Sequence, residues 1–284
     1  MKRVLSKVEG RRRAIPRALT IAGSDSTGGA GIQADLATFG ALGVFGASAV
    51  TAVTAQDTRG VEDTAAVAVA MVGAQIDAVL DDIGADAVKT GMLCDRKIVQ
   101  MVAKKLAAAS APNVVVDPVV RSTSGAELLD RDGLCALRDS LLPLARVVTP
   151  NLAEASALAD MEVNDVRSAS EACRRILRFG SQNVVVTGGH FAGAPVDLLG
   201  GRGGIRRFVG RRIGHGAHGT GCVFSAALAA HLARGCDLGD AVAAAKRFVE
   251  SRLRRALALG HGRRLLDFRR RYLDPSDASR QRRD

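Results

Sequence analysis

The run Arg17-Ala18-Leu19-Thr20-Ile21-Ala22, then Gly23-Ser24-Asp25-Ser26-Thr27-Gly28-Gly29-Ala30-Gly31, then Ile32-Gln33-Ala34-Asp35-Leu36 on to Leu42, decides the fold. A short apolar run stopped by glycine reads as a buried strand, and the segment after the glycines reads as a helix. A strand, a Gly-rich turn and a helix in succession is how α/β proteins hold ligands at the carboxyl ends of their strands. Three glycines in four positions exceed what a plain turn needs. Asp35 falls in the first turns of the helix, where it either faces the ligand crevice or stands as a solvated helix carboxylate.

The same alternation continues along the chain. Residues 47–54 are apolar and β-branched and end in a polar turn at 55–60, residues 67–82 read as an amphipathic helix, and 86–93 as a strand entering a Gly turn. Helices are expected at 95–109 and 167–180, strands at 113–119, 146–150 and 183–190, and a hairpin or pair of edge strands at 195–199 and 204–212. A helix begins at Asn151, and a long Ala-rich helix is expected over 238–258. Strands alternating with helices imply an α/β fold whose central, mostly parallel sheet is covered on both faces.

A second Gly-rich stretch, Gly214-His215-Gly216-Ala217-His218-Gly219-Thr220-Gly221-Cys222, leads into the apolar run Val223 to Arg234. The loop thus opens a helix, whose N-terminal N–H groups and dipole suit a phosphate or a developing oxyanion. Gly219 and Gly221 are read as the residues that let the backbone turn and approach a ligand, with Thr220 between them. Cys222 sits in the first turn, where the same field favours a thiolate. No Lys follows the last glycine, so this is not a Walker A loop, and the spacing is not GxGxxG.

Polar residues at strand ends supply further candidates, each with a plainer reading beside it. Gln56 offers a donor and an acceptor to a heteroaromatic ring, or is a turn residue. Asp117 suits a magnesium or nucleotide role, or sets the turn before Pro118. Glu154 is either a partner of the helix dipole or an indirect magnesium contact.

At 284 residues, with no Gly/Ser/Pro-rich linker, the chain is expected to form one domain over residues 18–262. The net charge of +11 belongs to its ends. Residues 1–17 contribute +6 and residues 246–284 contribute +8, leaving the body at −3. The expectation is a flexible basic extension at 1–17 and a basic tail at 263–284, disordered over 275–284. Such ends suit nucleic acid or an anionic membrane, but Trp is absent and there is one Tyr, so stacking aromatics are missing. Residues 1–17 lack the apolar core of a secretory signal, so export is not expected, and no apolar stretch reaches a membrane span. The five cysteines form no CxxC pair, which fits ordinary buried thiols at four of them and a reducing cytoplasm.

Taken together, AGSDSTGGAGIQADLATFGALGVFGASAVTAVTAQDTRGV, VKTGML, VVVDPVV followed by TSGAELL, VVTPNLAEASAL, VVVTGGH and HGTGC with its SAALAA helix resemble one family. It is that of the hydroxymethylpyrimidine/phosphomethylpyrimidine kinases of thiamine biosynthesis, in the ribokinase-like superfamily. The resemblance covers residues 18–258 and implies a three-layer α/β/α ribokinase-like fold. It implies ATP and Mg²⁺ as cofactors, the pyrimidine alcohol and its monophosphate as substrates, and a homodimer. It also implies that Gly23, Ala30, Asp35, Gln56, Met92, Val119 and Cys222 surround the pyrimidine, and that the HGTGC turn is the anion hole. Asp117, Asn151, Glu154, Thr187 and Gly189 fall on its nucleotide and magnesium side. Thr187 stands where the family usually has Lys, and Gly216-Ala217 where it usually has Asn-Thr. The competing readings are a pyridoxal or pyridoxine kinase and, in another class, a nucleic-acid-binding protein on a kinase scaffold.

Overall fold

In the computed structural model the alternation becomes a single sheet with helices on both faces, described over residues 15–122, 125–189, 191 and 194–269. The elements in chain order are β1 (Arg17–Asp25), α1 (Gly31–Ala41), β2 (Phe45–Gln56), β3 (Val61–Ala66), α2 (Val69–Asp82), β4 (Ala87–Thr90), α3 (Arg96–Ala108), β5 (Val114–Val116) and α4 (Arg131–Ala136). They continue with β6 (Val147–Val148), α5 (Leu152–Ala159), α6 (Val166–Leu177), β7 (Asn183–Val186), β8 (Val196–Gly201), β9 (Gly204–Val209), β10 (Ala217–His218), α7 (Thr220–Ala233), α8 (Leu238–Leu253) and β11 (Arg264–Leu265). The sheet order is β3-β2-β1-β4-β5-β6-β7-β8-β9. The strands from β2 across to β7 are parallel, and β3, β8 and β9 add antiparallel margins.

Side-chain alternation along the strands builds two cores. Val88, Val114, Val116, Val184 and Val186 point into a core with α2, α3, α5 and α6. Ala87, Val115, Val147 and Val185 point the other way, into a core with α1, α7 and α8. The ribokinase-like α/β/α expectation is therefore the architecture observed. Helix α7 is apolar on every side and buried from Val223 to Ala230, packed against α1, α8 and the faces of β1, β4 and β5. Strand order reverses between β1 and β4, so the carboxyl ends of those two strands open a crevice beside the N-terminus of α7.

Three differences from the sequence expectation have physical reasons. Strand β3, VEDTAA, was not foreseen: it is a polar, exposed margin strand, held only by antiparallel pairing to β2. The long last helix ends at Leu253, short of residue 258, where the chain turns to place Ala256 in the core. Packed structure also extends beyond 262: β11 pairs with β10, Leu266 and Asp267 are buried, and Gly262 N–H donates to Thr58 Oγ1 at 2.9 Å. Residues 1–14 of the basic extension and 270–284 of the tail, including 275–284, lie outside the described residues. Ion pairing of Arg17 with Asp86 at 3.1 Å fastens the start of β1. No helix among the described residues is long and apolar enough to cross a membrane.

Because β11 braces the loop that precedes α7, cutting the chain is a direct test of the boundary. Burial of a Leu side chain is worth about 1.5–3 kcal/mol. A chain ending at Gly262 is therefore expected to melt roughly 5 °C below one ending at Arg269. Identical melting of the two truncations would show that residues 263–269 contribute nothing.

Candidate active site

Alternation puts Thr20 of β1, Lys89 of β4 and Asp117 just after β5 on the same face of the sheet, under α1 and α7. They meet Asp35 from α1 and Cys222 and Ser225 from α7. Lys89 Nζ donates to Asp35 Oδ2 at 2.8 Å and lies 4.0 Å from Asp117 Oδ2. Thr20 Oγ1 donates to the same Asp35 oxygen at 2.6 Å, and Ser225 Oγ to Asp117 Oδ2 at 2.9 Å. Lys89 and Asp35 have no exposed surface. Burial opposes the Lys89 ammonium, but the carboxylates of Asp35 and Asp117 outweigh it and raise its pKa, so the group is a fixed buried cation. A buried ammonium would be very costly without such partners.

The expected Cys222 thiolate meets an opposing environment. Burial pushes the thiol up to about 12; Asp117 and Asp35 push the same way, against the charge of Lys89. This enclosure favours the neutral thiol in the unliganded protein. The residue as a whole is only part-buried, so it lies at the boundary between the charged cluster and the crevice.

The two Gly-rich turns, almost two hundred residues apart in sequence, touch. Gly219 caps α7 with φ of +79°, and a Cβ there would fall 1.9 Å from the Gly29 carbonyl oxygen. Gly221 differs from its expected part in the turn. It lies inside α7 without a positive φ, and a Cβ on it would meet nothing within 4 Å. Its smallness leaves open space at the helix N-terminus rather than permitting a bend. Thr220 is the first residue of α7.

Around the crevice mouth, Gly23 lies against Met92, whose Sδ would be 3.0 Å from a Cβ on the glycine. Asp25 holds the first turn by accepting from Thr27 N at 2.8 Å and, through Oδ2, from Ala30 N at 2.8 Å. The same oxygen is 2.9 Å from His218 Nε2, which is 2.8 Å from the Gln56 carboxamide. Val119 follows Asp117 and donates its N–H to the Asp117 carbonyl at 2.9 Å.

The remaining candidates form a second group, further along the sheet at the ends of β6 and β7. Asn151 and Glu154 make a reciprocal capping box for α5, Asn151 N donating to Glu154 Oε2 at 2.8 Å and Glu154 N to Asn151 Oδ1 at 3.0 Å. Glu154 is also buried, and burial, then the charge of Asp117, raises its pKa well above the ordinary value. That carboxylate thus both caps the helix and shares a field with Asp117. Thr187 bridges to Asn151 and donates its N–H to Pro150 O. Gly189 follows in the turn, where Gly188 N donates to Asp197, itself paired with Lys246 at 2.7 Å. His190 and residues 123–124 of the TSGAELL run lie outside the described residues.

Sequence reasoning missed Lys89, Thr20, Asp25 and His218. The signal for Lys89 was present: a single Lys inside AVKT, in a strand buried on both faces, requires buried acidic partners. The others depend on which segments meet. The cysteines also differ from expectation, since only Cys173 is fully buried and Cys135 is exposed. An open groove of about 710 Å³ beside α6 and edge strand β9 is lined by Arg167, Arg174 and Arg207. It lies at the far end of the sheet from the switch point, so the converging polar groups rather than the groove mark the site.

Comparison with known proteins shows the family of the chain. Residues 25–267 match the sequence profile of the family described as phosphomethylpyrimidine kinase. A hydroxymethylpyrimidine/phosphomethylpyrimidine kinase of Rhizobium meliloti is 47% identical over 251 residues, covering 87% of this chain and 94% of that protein. The thiamine biosynthesis bifunctional protein ThiED of Geobacter sulfurreducens is 47% identical over 256 residues; the match spans 89% of this chain but 52% of that longer protein. Among solved structures, an ADP complex of Bacillus subtilis pyridoxal kinase superposes with a TM-score of 0.84 at 38% identity, covering 90% of this chain and 98% of that one.

Proposed function

This chain belongs to the phosphomethylpyrimidine kinase family, and we propose that it transfers the γ-phosphoryl group of ATP to 4-amino-5-hydroxymethyl-2-methylpyrimidine and then to the resulting monophosphate, giving the diphosphate for thiamine diphosphate synthesis. The observation that supports it most directly is the contact of the two glycine turns at the base of α7, beside Cys222 and above the Lys89 cluster.

Phosphoryl transfer asks a protein chiefly for positioning and charge neutralisation. The free N–H groups of Gly221 and Cys222, in the open first turn of α7, would receive the migrating phosphoryl group, with Gly219 and Thr220 setting their direction. Gly23, Ala30, Gln56, Met92 and Val119 would line the acceptor ring. Asp35, wholly enclosed, would act from beneath through Lys89 rather than by touching the ring. The Cys222 thiol would orient the acceptor hydroxyl, whose proton leaves late, to a phosphoryl oxygen. Asn151, Thr187 and Gly189 belong to the nucleotide end.

Two buried carboxylates, Asp117 and Glu154, close enough to share a field, suit Mg²⁺ held partly by the protein and partly by phosphates. Asp117 and Glu154 would hold it, and the ion would neutralise charge on the phosphates. The same reading has one kinase domain, which takes in Arg17 and the packed residues 263–269, and the protein as a cytoplasmic homodimer.

A pyridoxal or pyridoxine kinase is the rival, favoured by the superposition on the Bacillus pyridoxal kinase. A coupled ATPase assay with the pyrimidine alcohol, its monophosphate and pyridoxine as separate acceptors is expected to give pyridoxine a kcat/KM at least about tenfold below either pyrimidine. A higher value for pyridoxine would reverse the assignment. Glu154→Gln keeps the capping box but removes the charge. It is expected to raise the Mg²⁺ concentration for half-activity about tenfold with Tm unchanged, and an unaltered requirement would remove Glu154 from the metal's surroundings.

A further inference from the structure

The meeting point of Asp25, His218, Gln56 and Thr54 carries information that no single one of these residues reveals. His218 is buried, with its ring against Gly29 and its backbone paired to β11. The Gln56 backbone is clamped by Ser26, whose Oγ donates to Gln56 O at 2.6 Å and accepts from Gln56 N at 2.9 Å. What remains free is the direction of the Gln56 carboxamide, whose two ends are alike in shape and opposite in hydrogen-bonding character.

Both neighbours decide that direction. Asp25 accepts from Thr27 N, Thr27 Oγ1 and Ala30 N, and although burial opposes its charge, the bonds from His218 and Thr27 hold its pKa below the ordinary value. An ionised carboxylate 2.9 Å from His218 Nε2 requires a proton on that nitrogen. The structure sets the amide atom drawn as Gln56 Nε2 2.8 Å from the same nitrogen, and two donors cannot face each other, so the carboxamide turns over to put its oxygen there, sharing that one proton with Asp25. At the other end, the single Thr54 hydroxyl proton goes to Ser24 O at 3.0 Å, which leaves the Thr54 oxygen as an acceptor 3.4 Å from Gln56. That end must be the nitrogen.

We propose that His218 is a specificity-determining positioning residue, fixing the Gln56 carboxamide with its oxygen on the imidazole and its nitrogen on Thr54, and so setting the hydrogen-bonding pattern presented to the acceptor ring. The inference rests on Gln56 being a ring contact in the function proposed above. An aminopyrimidine places a ring-nitrogen acceptor beside an exocyclic amine donor, which a carboxamide complements in one orientation and opposes in the other. A pyridine with a hydroxyl there accepts either orientation, because a hydroxyl both donates and accepts. A fixed amide thus selects the aminopyrimidine, and a freely turning one loses that selection.

The test joins kinetics on His218→Leu and Gln56→Ala with ¹⁵N spectra of the histidines in the unliganded wild-type protein. For His218→Leu, KM for the pyrimidine alcohol is expected to rise roughly tenfold, with kcat changing less. The preference over pyridoxine should fall by a similar factor. Gln56→Ala should lose the same preference, and the double variant no more. A protonated Nε2 on His218 supports the inference, whereas an unprotonated Nε2 overturns it without touching the kinase assignment. Unchanged preference in a folded His218→Leu protein also overturns it. Failure of the unaltered protein to phosphorylate either acceptor would instead overturn the function.

Discussion

Gly219→Ala is expected to lower Tm by 5 °C or more and kcat/KM by about a hundredfold. The residue holds φ of +79°, which costs a non-glycine residue about 1–2 kcal/mol. The larger effect is steric: the added carbon would fall 1.9 Å from Gly29 O, and both are backbone positions that no side-chain rotation can relieve. One glycine turn must therefore move relative to the other by about an ångström, and displacements of that size can cost about a hundredfold in rate. Gly221→Ala is the matched control. Its Cβ meets nothing, so Tm should hold, while kcat/KM for ATP falls because the methyl group occupies space in front of the α7 N–H groups. Enzyme assays and melting curves on the pair check this, and equal behaviour of the two variants would remove the cradle from the mechanism.

Cys222→Ala is expected to reduce kcat by about a hundredfold or more while KM for the pyrimidine alcohol changes only a few-fold, the range in which positioned proton-handling groups act. The environment sets the accompanying pH behaviour. With the thiol pushed up to about 12 by burial and by Asp117 and Asp35, it stays protonated from pH 6 to 9. The wild-type rate should then show no rise from thiol ionisation across that interval. Cys222→Ser, which keeps a neutral donor at the same place, should retain much of the activity lost in the alanine variant. A wild-type profile rising through neutral pH with an inactive serine variant would instead make the thiolate the working species. Turnover near the wild-type value in Cys222→Ala would take the residue out of the chemistry altogether.

The residues made unequal contributions to these conclusions. Gly28, Gly29 and Gly31 after an apolar strand, and Gly219 before an apolar helix, announced ligand turns from their composition alone, because few other residues tolerate such backbone. Glu154 was visible as a helix-first-turn carboxylate, but its two parts, cap and neighbour of Asp117, became distinguishable only when burial and distance were known. Strand β3 was invisible because an exposed margin strand has no apolar pattern to display. For Cys222 the local rule pointed the wrong way. A helix N-terminus favours a thiolate, and the enclosure that outweighs it comes from residues more than a hundred positions away.

The alternation of buried strands and helices, the parallel core and the position of the two glycine turns were determined by the sequence itself, since periodicity and glycine content act over a few neighbouring residues. Which turns touch, which carboxylates share Lys89 and which way the Gln56 carboxamide points were decided only by tertiary structure. Those properties depend on distances between segments such as 25, 56 and 218, and hydrogen-bond direction and charge are felt only once the chain has brought such segments within a few ångströms.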